Sequence, residues 1–210
     1  MKIALIGPTG NIGSHIAQEA LRRKHTVTGI TRRVSGLPAE LSGIQVRTAD
    51  VLDHAALTEA VRGHDVLASA FGPGPDAGLV VDAARAIVAA ARAAGIKRVV
   101  VVGGAGSLEI GGGKQLVDSP NFPAMYKPYA LAHREALAVF RDAPDLDWTF
   151  FAPAAEIGPG DKLGKFRVGV RNLIADQAGR SAISYADYAD AFVTEIENGS
   201  HPKEVVTVAY

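Results

Sequence analysis

Glycines at positions 7, 10 and 13 stand between a short apolar run, residues 3–6, and a helical pattern. A strand, a tight turn and a helix N-terminus in that order point backbone N–H groups and the positive end of a helix dipole at an anion. The usual anion at such a turn is the pyrophosphate of a dinucleotide. The expected contacts are Gly7, Thr9, Gly10, Asn11, Ile12 and Gly13. Glycine is required there because φ must turn positive and a Cβ would hold the phosphate away.

The next strand end indicates which dinucleotide. A carboxylate at that position accepts from the ribose hydroxyls of NAD. Here the chain reads Thr31-Arg32-Arg33. A guanidinium offers forked donors and positive charge to a 2′-phosphate, and it can also stack on adenine. NADP(H) is therefore favoured over NAD(H), with two arginines solvating a strand end as the bland alternative. Asp50, Val51 and Leu52 suit the adenine edge, while Asp53 is either part of that edge or simply a helix cap. Ala70, Phe71 and Gly72, after a fourth strand, bring mostly small residues close to the ribose and phosphate.

These residues need an alternating scaffold, and the chain supplies one. Strand patterns fall at residues 3–6, 26–31, 44–48, 65–70, 98–102, 148–151 and 205–209. Helical patterns fall at 11–23, 53–62, a stretch ending at 94 before Gly95, 129–142 and 185–197. Such alternation implies βαβ crossovers, hence an α/β Rossmann-type doubly wound, mostly parallel sheet of about seven strands, with order 3-2-1-4-5-6. The whole chain, 1–210, reads as one domain, with irregular loops at about 103–127 and 153–172 after strand ends where open α/β sheets bind ligands.

Composition sets limits. A chain of 210 residues, 48% apolar, can bury one sizeable core. Twenty-two basic and 22 acidic residues cancel, which argues against a nucleic-acid partner. There is no cysteine, so disulfides and thiolate chemistry are excluded. His15, His25, His54, His64 and His201 show no ligand spacing, so no metal site is expected. The apolar stretch 77–94 is interrupted by Asp82, Arg85 and Arg92, as in an amphipathic helix and not a membrane span. The N-terminus enters a strand directly with no secretory pattern, so the expected location is cytoplasmic, as a monomer or small homo-oligomer.

Several of these motifs together resemble an atypical short-chain dehydrogenase/reductase. They are the glycine turn, Thr31-Arg32-Arg33, residues 50–53, residues 100–104, Asp147-Trp148-Thr149-Phe150 with Pro153, and Ile183-Ser184 followed by Asp187-Tyr188-Ala189. More narrowly, the chain is similar to small bacterial NAD(P)H-binding proteins of the NADH–flavin reductase and biliverdin-IXβ reductase type. The resemblance implies that Gly103 and Gly104 border the cofactor. It also places Tyr129 and His133 where classical members carry Tyr-x-x-x-Lys, so that the i, i+4 spacing survives and the lysine does not. His133 can still reach a ribose hydroxyl but carries no dependable charge at neutral pH. Ser107 is the hydroxyl nearest the place where a carbonyl-polarising Ser or Thr is usual, with a turn cap as the alternative.

A flavin acceptor makes those losses tolerable, because the charge of an arriving hydride spreads over its ring. Phe71, Phe122, Tyr126, Phe151, Pro153 and Phe166 are the candidate acceptor platform, and Lys162, Lys165 and Arg167 the candidate contacts to a flavin phosphate. The expected function is hydride transfer from NADPH to a diffusible flavin or quinone-like acceptor. Its rivals are an inactive NADP(H)-binding redox sensor and a reductase or epimerase of a specific small metabolite.

Overall fold

The computed structural model describes residues 1–32 and 38–210. Its chain order begins β1 (Lys2–Ile6), α1 (Asn11–Arg22), β2 (Thr26–Thr31), β3 (Gln45–Thr48), α2 (His54–Val61), β4 (Val66–Ser69) and α3 (Leu79–Ala94). It continues β5 (Arg98–Val102), α4 (Lys127–Arg141), β6 (Asp147–Ala152), β7 (Glu156–Gly158), β8 (Arg167–Val170), β9 (Ala182–Ser184), α5 (Tyr185–Asn198) and β10 (Glu204–Ala209). The main sheet has eight strands in the order β3-β2-β1-β4-β5-β6-β10-β8, and β7 pairs with β9 in a separate ribbon. Every pairing is parallel except that of β8 with β10. The expected order 3-2-1-4-5-6 is present within it.

The sheet is larger than the seven strands expected, because residues 153–172 are not all loop. They contribute β7 and the edge strand β8. β8 is specified by its partner: Val168 lies opposite Val208, and Gly169 leaves room for Ile174, whose Cδ1 would sit 3.1 Å from an added Cβ. A Gly-containing segment with exposed valines carries little strand signal of its own.

Both faces of the sheet are covered, as a parallel sheet requires. One apolar layer joins α2, α3 and α4 to the sheet through Leu57, Ile87, Leu137, Phe140 and Trp148. The other joins α1 and α5 through Ile16, Phe151, Tyr188 and Phe192. Local signals set the helix ends. The Asp53 carboxylate accepts from Ala56 N–H at 3.0 Å, Ser184 Oγ accepts from Asp187 N–H at 3.0 Å, and Gly95 closes α3 with φ 73°. Among the described residues no helix is long and apolar enough to cross a membrane, and no group of acidic or histidine side chains could hold a metal ion.

Candidate cofactor site

β1 ends beside β4 with Ile6 opposite Ser69, so the glycine turn faces Ala70. Gly7 has φ 74°, and a Cβ on it would lie 2.6 Å from Ala70 O. A Cβ on Gly13 would lie 2.0 Å from Gly7 O, so α1 starts against the turn only because residue 13 has none. Gly10 has no such crowding and is the N-cap of α1. No side chain caps that helix, and its first turn carries no acid. An uncapped N-terminus beside a bare glycine turn is a ready anion cradle, which the diphosphate of a dinucleotide fits. Gly29, in β2, is part of the same device, because a Cβ there would meet Pro8 Cγ at 2.8 Å.

A cavity of about 570 Å³ opens over this turn. Gly7, Thr9, Gly10, Asn11, Ile12 and Gly13 line its centre. Arg32 with Asp50, Val51 and Leu52 forms one end. Ala70, Phe71 and Gly72 form the wall toward β4, and Gly103 and His133 close the other end. Arg32 is exposed and makes no hydrogen bond or ion pair among the described residues. Asp50 uses one carboxylate oxygen to accept from Leu52 N–H at 3.0 Å, which shapes the turn after β3. Arg33 lies outside the described residues.

Gly104 does not line the cavity. A Cβ on it would strike the His133 ring at 2.9 Å, and one on Gly103 would strike Phe150 at 2.3 Å, so this glycine pair makes room for two rings. His133 stands edge-on to Phe150 with ring centroids 6.2 Å apart, and its Nδ1 is buried with no partner. Burial pulls its pKa down to about 4, so at neutral pH it is an uncharged imidazole.

Tyr129 is one helical turn away but serves elsewhere: its hydroxyl donates to Gly74 O at 3.0 Å, and it does not line the cavity. Ser107 is buried in a short turn, its Oγ without a partner, and it too lies off the cavity wall. The classical Tyr–Lys–Ser constellation is therefore not assembled here.

Of the expected acceptor platform, Phe71 lines the cofactor cavity and Tyr126 a second cavity beyond it. Phe151 is a correction. It lies inside β6, paired on both sides with Val102 and Val206, and packs against Tyr188 and Phe192 in the core. Pro153 is buried, Phe166 is half-buried against the α1–α5 layer, and Phe122 is half-buried; none of the three lines either cavity.

The basic residues of residues 162–167 are also corrected. Lys162 Nζ donates to Glu19 at 3.0 Å and to Asp190 at 2.8 Å, and Arg167 donates to the carbonyls of Ala175 and Tyr210. Lys165 is exposed and lines neither cavity.

Several lining residues escaped sequence reading, Leu79 of α3 and two from the C-terminal half among them. The two are Ile157, from β7, and Tyr185, the first residue of α5. The Tyr185 ring lies 5.3 Å from that of His15, whose Nδ1–H donates to Asn11 O at 2.7 Å. The Ser184 cap signal places Tyr185 at a helix start, and that was the one clue available.

A doubly wound sheet with a cavity over a glycine turn at its switch point defines a Rossmann-type dinucleotide-binding protein. Residues 7–199 match the model of the NAD(P)H-binding family, and the chain belongs to that family. It is similar to three solved bacterial structures, each provisionally named. One, named an exported protein of Burkholderia pseudomallei, is 52% identical over the full length of both chains, with a TM-score of 0.93. Another, named an epimerase of Bacteroides thetaiotaomicron, is 37% identical over 100% of this chain and 96% of the other, also at 0.93. A third, named an NADH-flavin reductase of Streptococcus pneumoniae, is 32% identical over 100% and 99%, at 0.90.

Proposed function

We propose that the protein is a cytoplasmic NAD(P)H-dependent reductase that prefers NADPH and passes hydride to a diffusible flavin- or quinone-like acceptor. The observation that carries this reading is the chemistry of the closed end of the cofactor cavity. Its ring group, His133, is uncharged, and the Tyr129 hydroxyl is committed to Gly74 O. A carbonyl being reduced needs a positioned acid for its developing alkoxide. A conjugated ring does not, because it spreads the charge until solvent protonates it. The provisionally named flavin reductase of S. pneumoniae points the same way.

Each residue then has a task. The Gly10–Gly13 helix start holds the diphosphate, Arg32 meets the 2′-phosphate, and Asp50 to Leu52 border the adenine. Val102, Gly103 and Phe71 give the nicotinamide end an apolar floor, and His133 offers a neutral hydrogen-bonding nitrogen beside the ribose. Bound NADPH supplies the hydride, and one solvent proton completes the two-electron reduction of the acceptor.

The test follows NADPH oxidation anaerobically with added flavin, for the natural chain and Arg32→Ala. Saturable, protein-dependent oxidation is expected. Losing one charge-assisted contact, about 1.5–3 kcal/mol, should raise the KM for NADPH by roughly tenfold or more and leave that for NADH little changed. Tight NADPH binding without turnover would instead favour the redox-sensor reading, which the same unassembled Tyr129–His133 pair supports.

A further inference from the structure

A second cavity, of about 820 Å³, adjoins the cofactor cavity, and Ile157 lines both. Its walls come from the β7–β9 ribbon, the turn at residues 159–163 and Tyr126. A ligand seated in it therefore abuts the cofactor cavity at Ile157.

Its surface chemistry is specific. Leu163 and Tyr126 are 59% and 56% exposed, large apolar side chains left in water around one concavity. Clustered exposure of that kind marks a ligand surface more often than chance scatter does. The charges of the lining lean negative. Arg180 is its one cation, and Nε and Nη2 of that guanidinium are engaged by Glu156 at 2.9 and 2.7 Å. Asp161 remains as a carboxylate with no partner among the described residues.

Of the three lining hydroxyls two are engaged, and only that of Tyr126 has no partner among the described residues. Ser184 Oγ caps α5, and Tyr210 O–H donates to Asp187 at 2.7 Å. Of the nearby cations in sequence, Lys162 and Arg167 are committed to Glu19, Asp190 and backbone carbonyls, and Lys165 does not line the cavity. Among the described residues, the one lining cation is already paired with a carboxylate, and the lining carboxylates Glu156 and Asp161 outnumber it two to one.

We propose that this cavity is the acceptor site and that it selects an uncharged flat ring, of riboflavin or quinone type, over the same ring carrying a phosphate, as in FMN. The selection rests on the hydride-transfer reading only for its purpose; binding tests it alone. The apolar walls take the ring, and Asp161 with the Glu156–Arg180 pair repels an anionic tail.

The experiment is equilibrium binding of riboflavin and of FMN, read by quenching of flavin fluorescence, with NADP⁺ present. Riboflavin should bind at least about tenfold more tightly than FMN, and added salt should narrow the gap by screening. Asp161→Asn should tighten FMN and leave riboflavin unchanged, and the surface variant Leu163→Glu should weaken riboflavin several-fold. FMN binding as tightly as riboflavin, or neither flavin binding to protein that still binds NADP⁺, overturns the proposal. An unchanged riboflavin affinity in Leu163→Glu overturns the location. Riboflavin binding without any NADPH oxidation leaves the selectivity standing and sinks hydride transfer, so the two failures are distinguishable.

Discussion

His133 shows how one substitution of residue type changes a site. At this helix position a lysine would carry charge into the cofactor cavity, whereas a buried imidazole with an unpartnered Nδ1 stays neutral. The cost appears in acid. The unfolded chain takes up a proton near the ordinary value of 6.5, while the folded ring resists until about pH 4. The unfolded state thus binds more protons between those limits, and stability falls as pH falls through that window, by on the order of 3 kcal/mol. Denaturant melts of the natural chain and of His133→Gln, compared from pH 7 to pH 4, should diverge across the window, with the variant losing less. Carboxylates contribute equally to both, so parallel curves would mean that the ring is not buried as described. At this scale the geometry of the glycine turn was legible because its partners are local. Tyr129 was not. Its spacing to His133 is right for a catalytic pair, but the direction of its hydroxyl is decided by Gly74, 55 residues earlier.

Among the elements, the segment between β7 and β8 is held by side chains of the two helices beside it. Asp187, fully buried at the start of α5, accepts from Leu163 N–H at 2.9 Å, Gly164 N–H at 2.8 Å and Tyr210 O–H at 2.7 Å. Burial alone would raise its pKa; these donors more than offset that and hold it below the usual carboxylate range. Lys162 fastens the same segment to Glu19 and Asp190. Asp187→Ala strands two backbone donors and a phenol, at a cost of about 3 kcal/mol. For a chain of this length that is a fall in Tm of roughly 6–12 °C. Limited trypsin digestion should then cut at Lys162 or Lys165, while NADPH binding in the cofactor cavity, which Asp187 does not line, persists. A segment that stays resistant would remove Asp187 from this role. The sequence shows half of the arrangement. Ser184 and Asp187, three apart, read as a helix cap, but the donors at 163 and 164 lie 24 and 23 residues away. The same reason explains Lys162 and Arg167, which look like phosphate ligands only until their partners in space are known. Phe151 failed differently: it closes the sixth strand pattern and was expected to face the acceptor. Flanking strands on both sides extend β6 one residue further, to Ala152, and bury the Phe151 ring in the core instead.

For the molecule as a whole, zero formal charge gives no net attraction for an anionic cofactor, so the proposed reading puts recognition on the local cradle and on Arg32. That makes cofactor choice a thermodynamic quantity readable from stability. A ligand bound only by the folded state at a hundred times its Kd adds about 2.7 kcal/mol, which for some 200 residues raises Tm by roughly 5–11 °C. If Arg32 discriminates about tenfold in favour of NADPH, equal saturating concentrations of NADPH and NADH should differ by about 1.4 kcal/mol, or roughly 3–6 °C. Arg32→Ala should bring the two shifts together by lowering the NADPH shift and not by raising that of NADH. Differential scanning fluorimetry with both nucleotides and both proteins is enough to decide. Equal shifts in the natural chain would take the 2′-phosphate out of recognition and leave Arg32 to stack on adenine. A larger NADH shift would reverse the preference and put the ribose hydroxyls, with no carboxylate at the end of β2 to receive them, in need of another acceptor.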